Sequence, residues 1–437
     1  MHRIPLITAV TSDFAGQTRG KGFPATERDE RLEKGVGWTF TNTMINCWGQ
    51  IPATPFGPLG DLVLIPDPAT EVEVDFGDGS VAERFMLGDL HHMDGSPWDC
   101  CLRNYLRSAV NDLQRETGQT LIAAFEHEFH DDGMGVRLGD SYSLEKVRLA
   151  GEFPEAYLYA LRAADAEPET FLPEYGANQF EVTVKPGRGV AAADRAIVVR
   201  QLAHATAVRL GRKVSFSPMV SPGGAGNGVH IHMSFRDRER QPAAYDANGP
   251  HGLSEVMGQF AAGILRRLPA ILAVTAPSAA SYLRLKPNAW SSSFNNLGYR
   301  DREAAIRICP VSDRAGAHVA GAFNIEFRAG DASASPYLQL GILVRAGLEG
   351  IRDKLPVPPS TSSDPAAMSD DERAAVGVER LPATMCEALD RLEAAEGIGD
   401  LMPGDLFGTY VMHKRGELVA LDGLDADEIC RRYAEVY

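Results

Sequence analysis

Polar and apolar side chains alternate with a period of two at four places along the chain, and each place reads as a strand with one polar face. In Phe125-Glu126-His127-Glu128-Phe129-His130 the shared face carries Glu126, Glu128 and His130. In Gln179-Phe180-Glu181-Val182-Thr183 it carries Gln179, Glu181 and Thr183, with Glu174 just upstream in a loop. His230, His232 and Ser234 alternate with Ile231, Met233 and Phe235, and Glu326 and Arg328 with Ile325 and Phe327. Helical spacing takes over in residues 98–116, through Leu102, Leu106, Val110 and Leu113, and further helices are expected over 191–210, 253–268 and 337–354. The first 97 residues are β-rich instead, with short apolar runs such as Leu62-Val63-Leu64-Ile65 punctuated by Pro66-Asp67-Pro68 and the turn Gly77-Asp78-Gly79. The change at Ser96-Pro97 predicts a small N-terminal domain over 1–97 and a larger domain of mixed strands and helices over 98–437, ending in a helical segment. Residues 355–371, rich in Pro and Ser and without periodicity, are expected to form a loop.

Composition narrows the function classes. A chain of 437 residues with 44% apolar content can bury two or three substantial cores. Its net charge of −16, with no basic run, argues against partners held by their phosphate backbone, so no nucleic acid is expected. Six cysteines form no C-x-x-C pair, and adjacent Cys100 and Cys101 are poorly placed to bridge each other, which fits reduced thiols in a cytoplasmic protein. Residues 1–10 lack the pattern of a signal peptide. The apolar stretch 264–276 is interrupted by Arg266, Arg267 and Pro269 and falls short of the roughly 20 residues that span a bilayer, so no membrane partner is expected either.

A lone Glu-x-Glu most often marks a half-solvated strand, so the recurrence of the pattern carries the chemistry. If the four strands are neighbours in one antiparallel sheet, Glu126, Glu128, Glu181, His230 and Glu326 converge, with Glu174 reaching in from its loop. Carboxylates gathered this way need cations, and a mostly oxygen donor set favours hard ions, Mg²⁺ or Mn²⁺, two or more per site. Two such ions with Arg284, Arg302, Arg307 and Arg328 nearby suit phosphoryl transfer, in which charge spreads over phosphate oxygens. The His230-x-His232 pair also resembles the H-x-H of metal-dependent amidohydrolases, but those sites are His-rich and rest on regularly alternating strands and helices. The run Gly223-Gly224-Ala225-Gly226-Asn227-Gly228 lacks the Lys-Ser/Thr of a P-loop and leads into a strand, so it reads as a loop allowing close backbone approach to a small ligand.

In their order along the chain these blocks resemble the glutamine synthetase family. The resemblance rests on Phe125-Glu126-His127-Glu128, Glu174 with Gln179-x-Glu181, and Gly226 through Ser234. Downstream it rests on Ser281-Tyr282-x-Arg284-Leu285-x-Pro287, Arg302 to Arg307, and Ile325-Glu326-Phe327-Arg328 followed by Ser335-Pro336-Tyr337. It implies an α+β fold: a small β-grasp-like N-terminal domain and a catalytic domain on a curved antiparallel sheet. It also implies one metal on Glu128, Glu174 and Glu181 and another on Glu126, His230 and Glu326. Glu128, Gly226, His230, Arg284 and Arg328 would form the glutamate site, and His232, Ser234, Arg302 and Arg307 the nucleotide side. Arg284, Arg302 and Trp290 would stand closest to the chemistry. In the implied reaction ATP phosphorylates the γ-carboxylate of glutamate and an amine attacks the acyl phosphate. Family members form double-ring dodecamers in which a neighbour's N-terminal domain completes the site, making Trp38, Phe40 and Trp48 candidates to line an amine pocket in trans.

Three departures sharpen the expectation. In glutamine synthetases proper a flap glutamate helps bind and deprotonate ammonium; the matching position here is Trp290, whose neutral indole cannot take a proton. The Asp-Gly-Ser-Ser loop that supplies an aspartate to the ammonium site has no counterpart in residues 38–48. Basic residues that precede the last strand in many relatives are replaced by Gly321-Ala322-Phe323-Asn324. An ammonium site needs negative charge or π-faces around a small cation, so indole in place of carboxylate favours a larger, more apolar amine. The expected activity is ligation of glutamate to an organic amine. The alternatives are a glutamine synthetase that uses ammonium and a non-catalytic relative.

Overall fold

The strand pattern is realised in two sheets. The computed structural model of the chain describes residues 3–133, 135, 139–312, 314, 318–361 and 363–437. Near the N-terminus the strands Thr18–Pro24, Leu6–Ser12, Glu83–His92, Leu62–Pro66 and Val36–Trp38 lie side by side in that order, with Val72–Val74 also paired to Glu83–His92. Leu6–Ser12 and Glu83–His92 run parallel, and the other pairs are antiparallel. The second sheet has the order Ser360–Thr361, Leu297–Tyr299, Ile306–Ile308, Ile325–Phe327, Val229–Arg236, Thr120–Asp131, Gln179–Val184 and Pro168–Pro173. Its centre is antiparallel throughout, from Ile306–Ile308 across to Pro168–Pro173.

All four alternating strands are therefore neighbours, and their two faces separate as the period of two requires. Phe125, Phe129, Phe180, Val182, Ile231, Met233, Phe235, Ile325 and Phe327 are buried in the main core. The helices Leu102–Thr117, Val190–Arg209, Glu255–Thr275 and Pro336–Arg352 belong to that core, with Pro336–Arg352 packed on the other three. His127 falls on the apolar face, between the rings of Phe125 and Phe216, and burial lowers its pKa to about 3. The opposite face keeps the glutamates.

Helix boundaries differ from the periodicity in two instructive places. The first long helix begins at Leu102, four residues after the expected start, because Trp98 still donates its N–H to Leu90 and buries its ring against Phe40 and Phe56. The Glu255–Thr275 helix continues through Pro269, which has no N–H to give Leu265; the side-chain amide of Asn295 donates to that carbonyl instead, at 3.4 Å. This helix is long and apolar enough to cross a membrane, but 72% of its most apolar window is buried inside the protein. Within 355–371, expected to be a loop, lie the short strand Ser360–Thr361, the turn Pro365–Ala367 and the start of the helix Asp370–Ala375, while residue 362 is outside the described residues. All six cysteines are free, as expected.

A buried arginine ties the first sheet to the helices of the second. Arg103, 3% exposed, donates to Asp67 at 2.7 Å, Asp89 at 2.9 Å and Asp194 at 2.9 Å. Tyr337 adds a 2.6 Å hydrogen bond to Asp194. Removing the guanidinium leaves Asp67 without its ion pair and Asp194 with only the Tyr337 hydroxyl, while Asp89 keeps Arg107 at 2.6 Å. Arg103→Met is expected to lower unfolding free energy by ~3–5 kcal/mol, read from urea denaturation; a loss below ~1 kcal/mol, the worth of a surface pair, would refute the hub.

Candidate active site

Register alone brings the acidic positions together. His230 pairs with Glu126, Glu128 with Glu181, and Glu326 lies between His232 and Arg307 across its two neighbouring strands. Glu174 comes from the loop between Pro168–Pro173 and Gln179–Val184. Three donor groups result, each with its atoms within 4.8 Å of one another: Glu128, Glu174 and Glu181; Glu126, Glu181 and His230; Glu126, His232 and Glu326. The first is the expected set. For the second cation the expected residues are also close, with His230 Nδ1 3.7 Å from Glu126 and 3.5 Å from Glu326. His232, expected on the nucleotide side, comes within 3.1 Å of Glu126 through Nε2, because both histidines project from the same strand face.

The cluster has two electrostatic halves. Burial raises Glu181 to about 9, with Glu126, Glu128 and Glu174 adding to the effect. Burial likewise lifts Glu128 to about 7, against a 2.7 Å hydrogen bond from the Gly228 N–H and with help from Glu174. Burial opposes ionisation of Glu326 too, yet His230, Arg328 and His232 hold it at about 2. Arg307 donates to it at 2.8 Å and Arg328 bonds its other oxygen. His230 is lowered by burial and by Arg328 to about 4, which leaves a neutral imidazole able to ligate a cation.

The arginines are distributed unevenly. Arg284 is buried, donates to the Gly330 carbonyl at 2.7 Å and lies under the glycine run, where a Cβ at Gly226 would sit 2.4 Å from its Cγ. The expected close approach at Gly226 is thus made by a side chain of the same protein. Arg328 also holds the backbone oxygens of Arg302, at 2.9 Å, and Trp290, at 3.3 Å. Arg302 is exposed and makes no ion pair among the described residues. Ser234 donates to the Phe323 carbonyl at 2.7 Å, and His232 is held through Nδ1 by Asn324 at 2.8 Å. Trp290 is 63% exposed on a loop beside this cluster.

Some site-building residues carried no sequence signal. Lys146 is fully buried and donates to the carbonyls of Glu174, at 2.6 Å, and Gly176, at 2.5 Å, fixing the loop that presents Glu174. Gln179, which the sequence already marked on the alternating face, joins Gly226, Asn227 and Gly176. Tyr142 stands over Glu174, whose charge together with burial raises the phenol to about 12. Cys309 sits 3.7 Å from both His232 and Glu326. A lysine in a short helix or a tyrosine in a turn has no period or spacing to mark it. Of the aromatics expected in trans, Trp38 is buried in its own core and Trp48 packs against Tyr433 with the rings tilted and their centroids 5.2 Å apart. Phe40 borders a cavity of about 580 Å³ with Gly60, Asp61 and His92.

A sheet that gathers glutamates for divalent cations beneath a rim of arginines is equipped to handle a phosphoryl group. The family profile described as "Glutamine synthetase, catalytic domain" matches residues 99–433, and that described as "Glutamine synthetase N-terminal domain" matches 1–98. Together they define the class, an ATP-dependent ligase that forms a C–N bond. The chain belongs to the glutamine synthetase family. It is 36% identical to a gamma-glutamylpolyamine synthetase of Streptomyces coelicolor, over 97% of this chain and 92% of that protein. It is 28% identical to a glutamine synthetase of Pyrococcus furiosus, over 94% and 90% of the two chains. A solved novel glutamine synthase homolog superposes with a TM-score of 0.92 at 41% identity, covering 100% of this chain and 99% of that one. The solved GmaS/ADP complex shares the fold, with a TM-score of 0.83 at 21% identity over 99% and 97%.

Because Glu128 and Glu181 hold protons near neutral pH while a divalent cation binds carboxylate, cation uptake here must release protons. Affinity is expected to weaken as pH falls from about 9 through about 7, the range in which these two groups gain protons. Calorimetric titration with Mg²⁺ or Mn²⁺ in two buffers of unlike ionisation heat should report that release. Equal apparent enthalpies in the two buffers would show the groups to be ionised beforehand.

Proposed function

We propose that this ligase makes γ-glutamyl phosphate from glutamate and ATP and passes the acyl group to an organic amine, giving a γ-glutamyl amide. The observation that carries the reading is Trp290, which presents an indole to solvent at the flap position where ammonium users carry a glutamate. The likeness to a gamma-glutamylpolyamine synthetase over nearly the whole chain supports the same acceptor class.

Glu128, Glu174 and Glu181 fit the cation nearer glutamate, and Glu126, His230 and Glu326 the one nearer the phosphates, with His232 close enough to join. Bound there, Mg²⁺ or Mn²⁺ would neutralise phosphate oxygens and hold nucleotide and glutamate in line. Arg284 and Gly226 bound the glutamate pocket, with Arg284 placed to meet a carboxylate as a guanidinium fork. Arg328 steadies Glu326 and the flap and lies at the same pocket. Arg302, exposed and without an ion pair among the described residues, is free to move onto the transferring phosphoryl group, and Arg307 to support it from the sheet. A carboxylate resists amines until its oxygen leaves as phosphate, and these cationic side chains stabilise the charge that develops as it does. Ser234 and His232 line the nucleotide side. Assembly into a double-ring dodecamer would bring a neighbour's N-terminal segment to this site, where Phe40 and Trp48, each half-buried in its own chain, would present a ring edge and Trp38 would stay buried.

Turnover with a panel of mono-, di- and polyamines against ammonium tests the acceptor. An organic amine is expected to give the highest kcat/KM; ammonium in first place would overturn the reading, and glutamate-independent or absent phosphate release would favour a non-catalytic relative. Trp290→Glu should raise the ammonium-to-amine ratio of kcat/KM about tenfold or more, the scale on which a placed polar group discriminates substrates.

A further inference from the structure

The flap that carries Trp290 is held in an unusual shape. Its base is closed by Ser291, whose hydroxyl donates to the Arg284 carbonyl at 2.8 Å and accepts the Lys286 N–H at 3.1 Å. Its tip contains two non-glycine residues in the left-handed region, Asn288 at φ +59° and Trp290 at φ +52°. Such a conformation is unfavourable for a bulky residue and persists only where the surroundings impose it. The imposing group is Glu303. Its carboxylate accepts the Trp290 N–H at 2.6 Å, and the nearby Asn288 N–H favours its charged form. The loop bearing Glu303 is itself fixed, since its own N–H donates to Asp301 at 2.9 Å. On the opposite side Arg328 holds the Trp290 carbonyl and bonds Glu326, so the flap tip lies two contacts from the cation cluster. Glu303 is half-buried, and Asp364 and Asp301 are the charges that bear on it most.

We infer that Glu303 is a positioning residue that clamps the Trp290 flap over the acyl phosphate, setting acceptor affinity and keeping water out. The inference rests on the proposed ligase reading but not on which acceptor is best. Charge-assisted hydrogen bonds hold the Trp290 backbone on both sides, from its N–H to Glu303 and to its carbonyl from Arg328, so the indole can be largely exposed and still fixed in place. When the clamp is lost, water reaches the intermediate. Its oxygen adds to the acyl carbon, phosphate leaves with the C–O electron pair, and a proton passes to solvent, returning glutamate and phosphate without an amide.

The test uses the full-length enzyme with ATP, glutamate and whichever acceptor, amine or ammonium, has the highest kcat/KM. Glu303→Ala is expected to raise acceptor KM about tenfold, the worth of hydrogen bonds to a charged group, while the KM for ATP stays unchanged. Phosphate released per amide formed should rise above one. Glu303→Gln keeps an acceptor oxygen and should lie near wild type. Adding Asn288→Gly to Glu303→Ala should recover part of the loss, because glycine takes positive φ without strain. If Glu303→Ala melts at assay temperature, Glu303→Asp, which withdraws the carboxylate by one methylene, carries the same expectations. An unchanged acceptor KM and coupling ratio, or a Gln variant as impaired as Ala, would overturn the clamp. An enzyme with no glutamate-dependent phosphate release at all would instead sink the ligase reading.

Discussion

Repulsion between carboxylates is the constraint around which this molecule is organised. Strand register forces Glu126, Glu128, Glu181 and Glu326 onto one face, and a loop adds Glu174. Left alone, such a cluster would protonate or pull the sheet apart. The protein answers differently in its two halves. Arg307, Arg328 and the charged His232 keep Glu326 and Glu126 ionised, whereas Glu128 and Glu181 have no cation so near and hold protons instead. One half is neutralised by the chain and the other is ready to exchange protons for a divalent ion. Glu126 and Glu128, two residues apart, stand on either side of that division.

Holding the cluster in place falls to polar groups with no catalytic chemistry of their own. Lys146 buries a full charge to grip the Glu174 loop by two carbonyls, and Gln179 links that loop to the glycine run. The glycine run lies on Arg284, and the Gly228 N–H returns to Glu128. A displacement of any one of these elements is passed to the next, because the contacts are buried or half-buried and share their partners. The Arg103 hub does the same on a larger scale, joining aspartates from the first sheet to a helix of the second.

The flap shows how one neighbouring pair of residues serves two ends. Arg302 is exposed and makes no ion pair among the described residues, and Glu303 turns to the flap and holds its backbone. Between them Arg328 binds the carbonyls of both Arg302 and Trp290 while bonding Glu326. The flap and the carboxylate cluster therefore share a single arginine. Strain at Asn288 and Trp290 is tolerated because hydrogen bonds on both faces of the loop determine its shape.

By itself the sequence determined the elements and their polarity. A period of two is a property of the strand backbone, so it exposed the glutamate face, and the helical period exposed the four core helices, without knowledge of their neighbours. The resemblance of the motifs then ordered the acidic residues into two sets, and the geometry keeps Glu128, Glu174 and Glu181 together as expected. What the tertiary structure decided were the contacts between residues far apart in the chain. Pro269 continues a helix because Asn295 caps the carbonyl of Leu265, His232 reaches Glu126 because register sets it diagonally across the strand pair, and Trp290 is fixed by Glu303. Such pairings follow no period, since a single hydrogen bond or charge contact depends on the distance between two side chains, and that distance exists only once the sheet has closed.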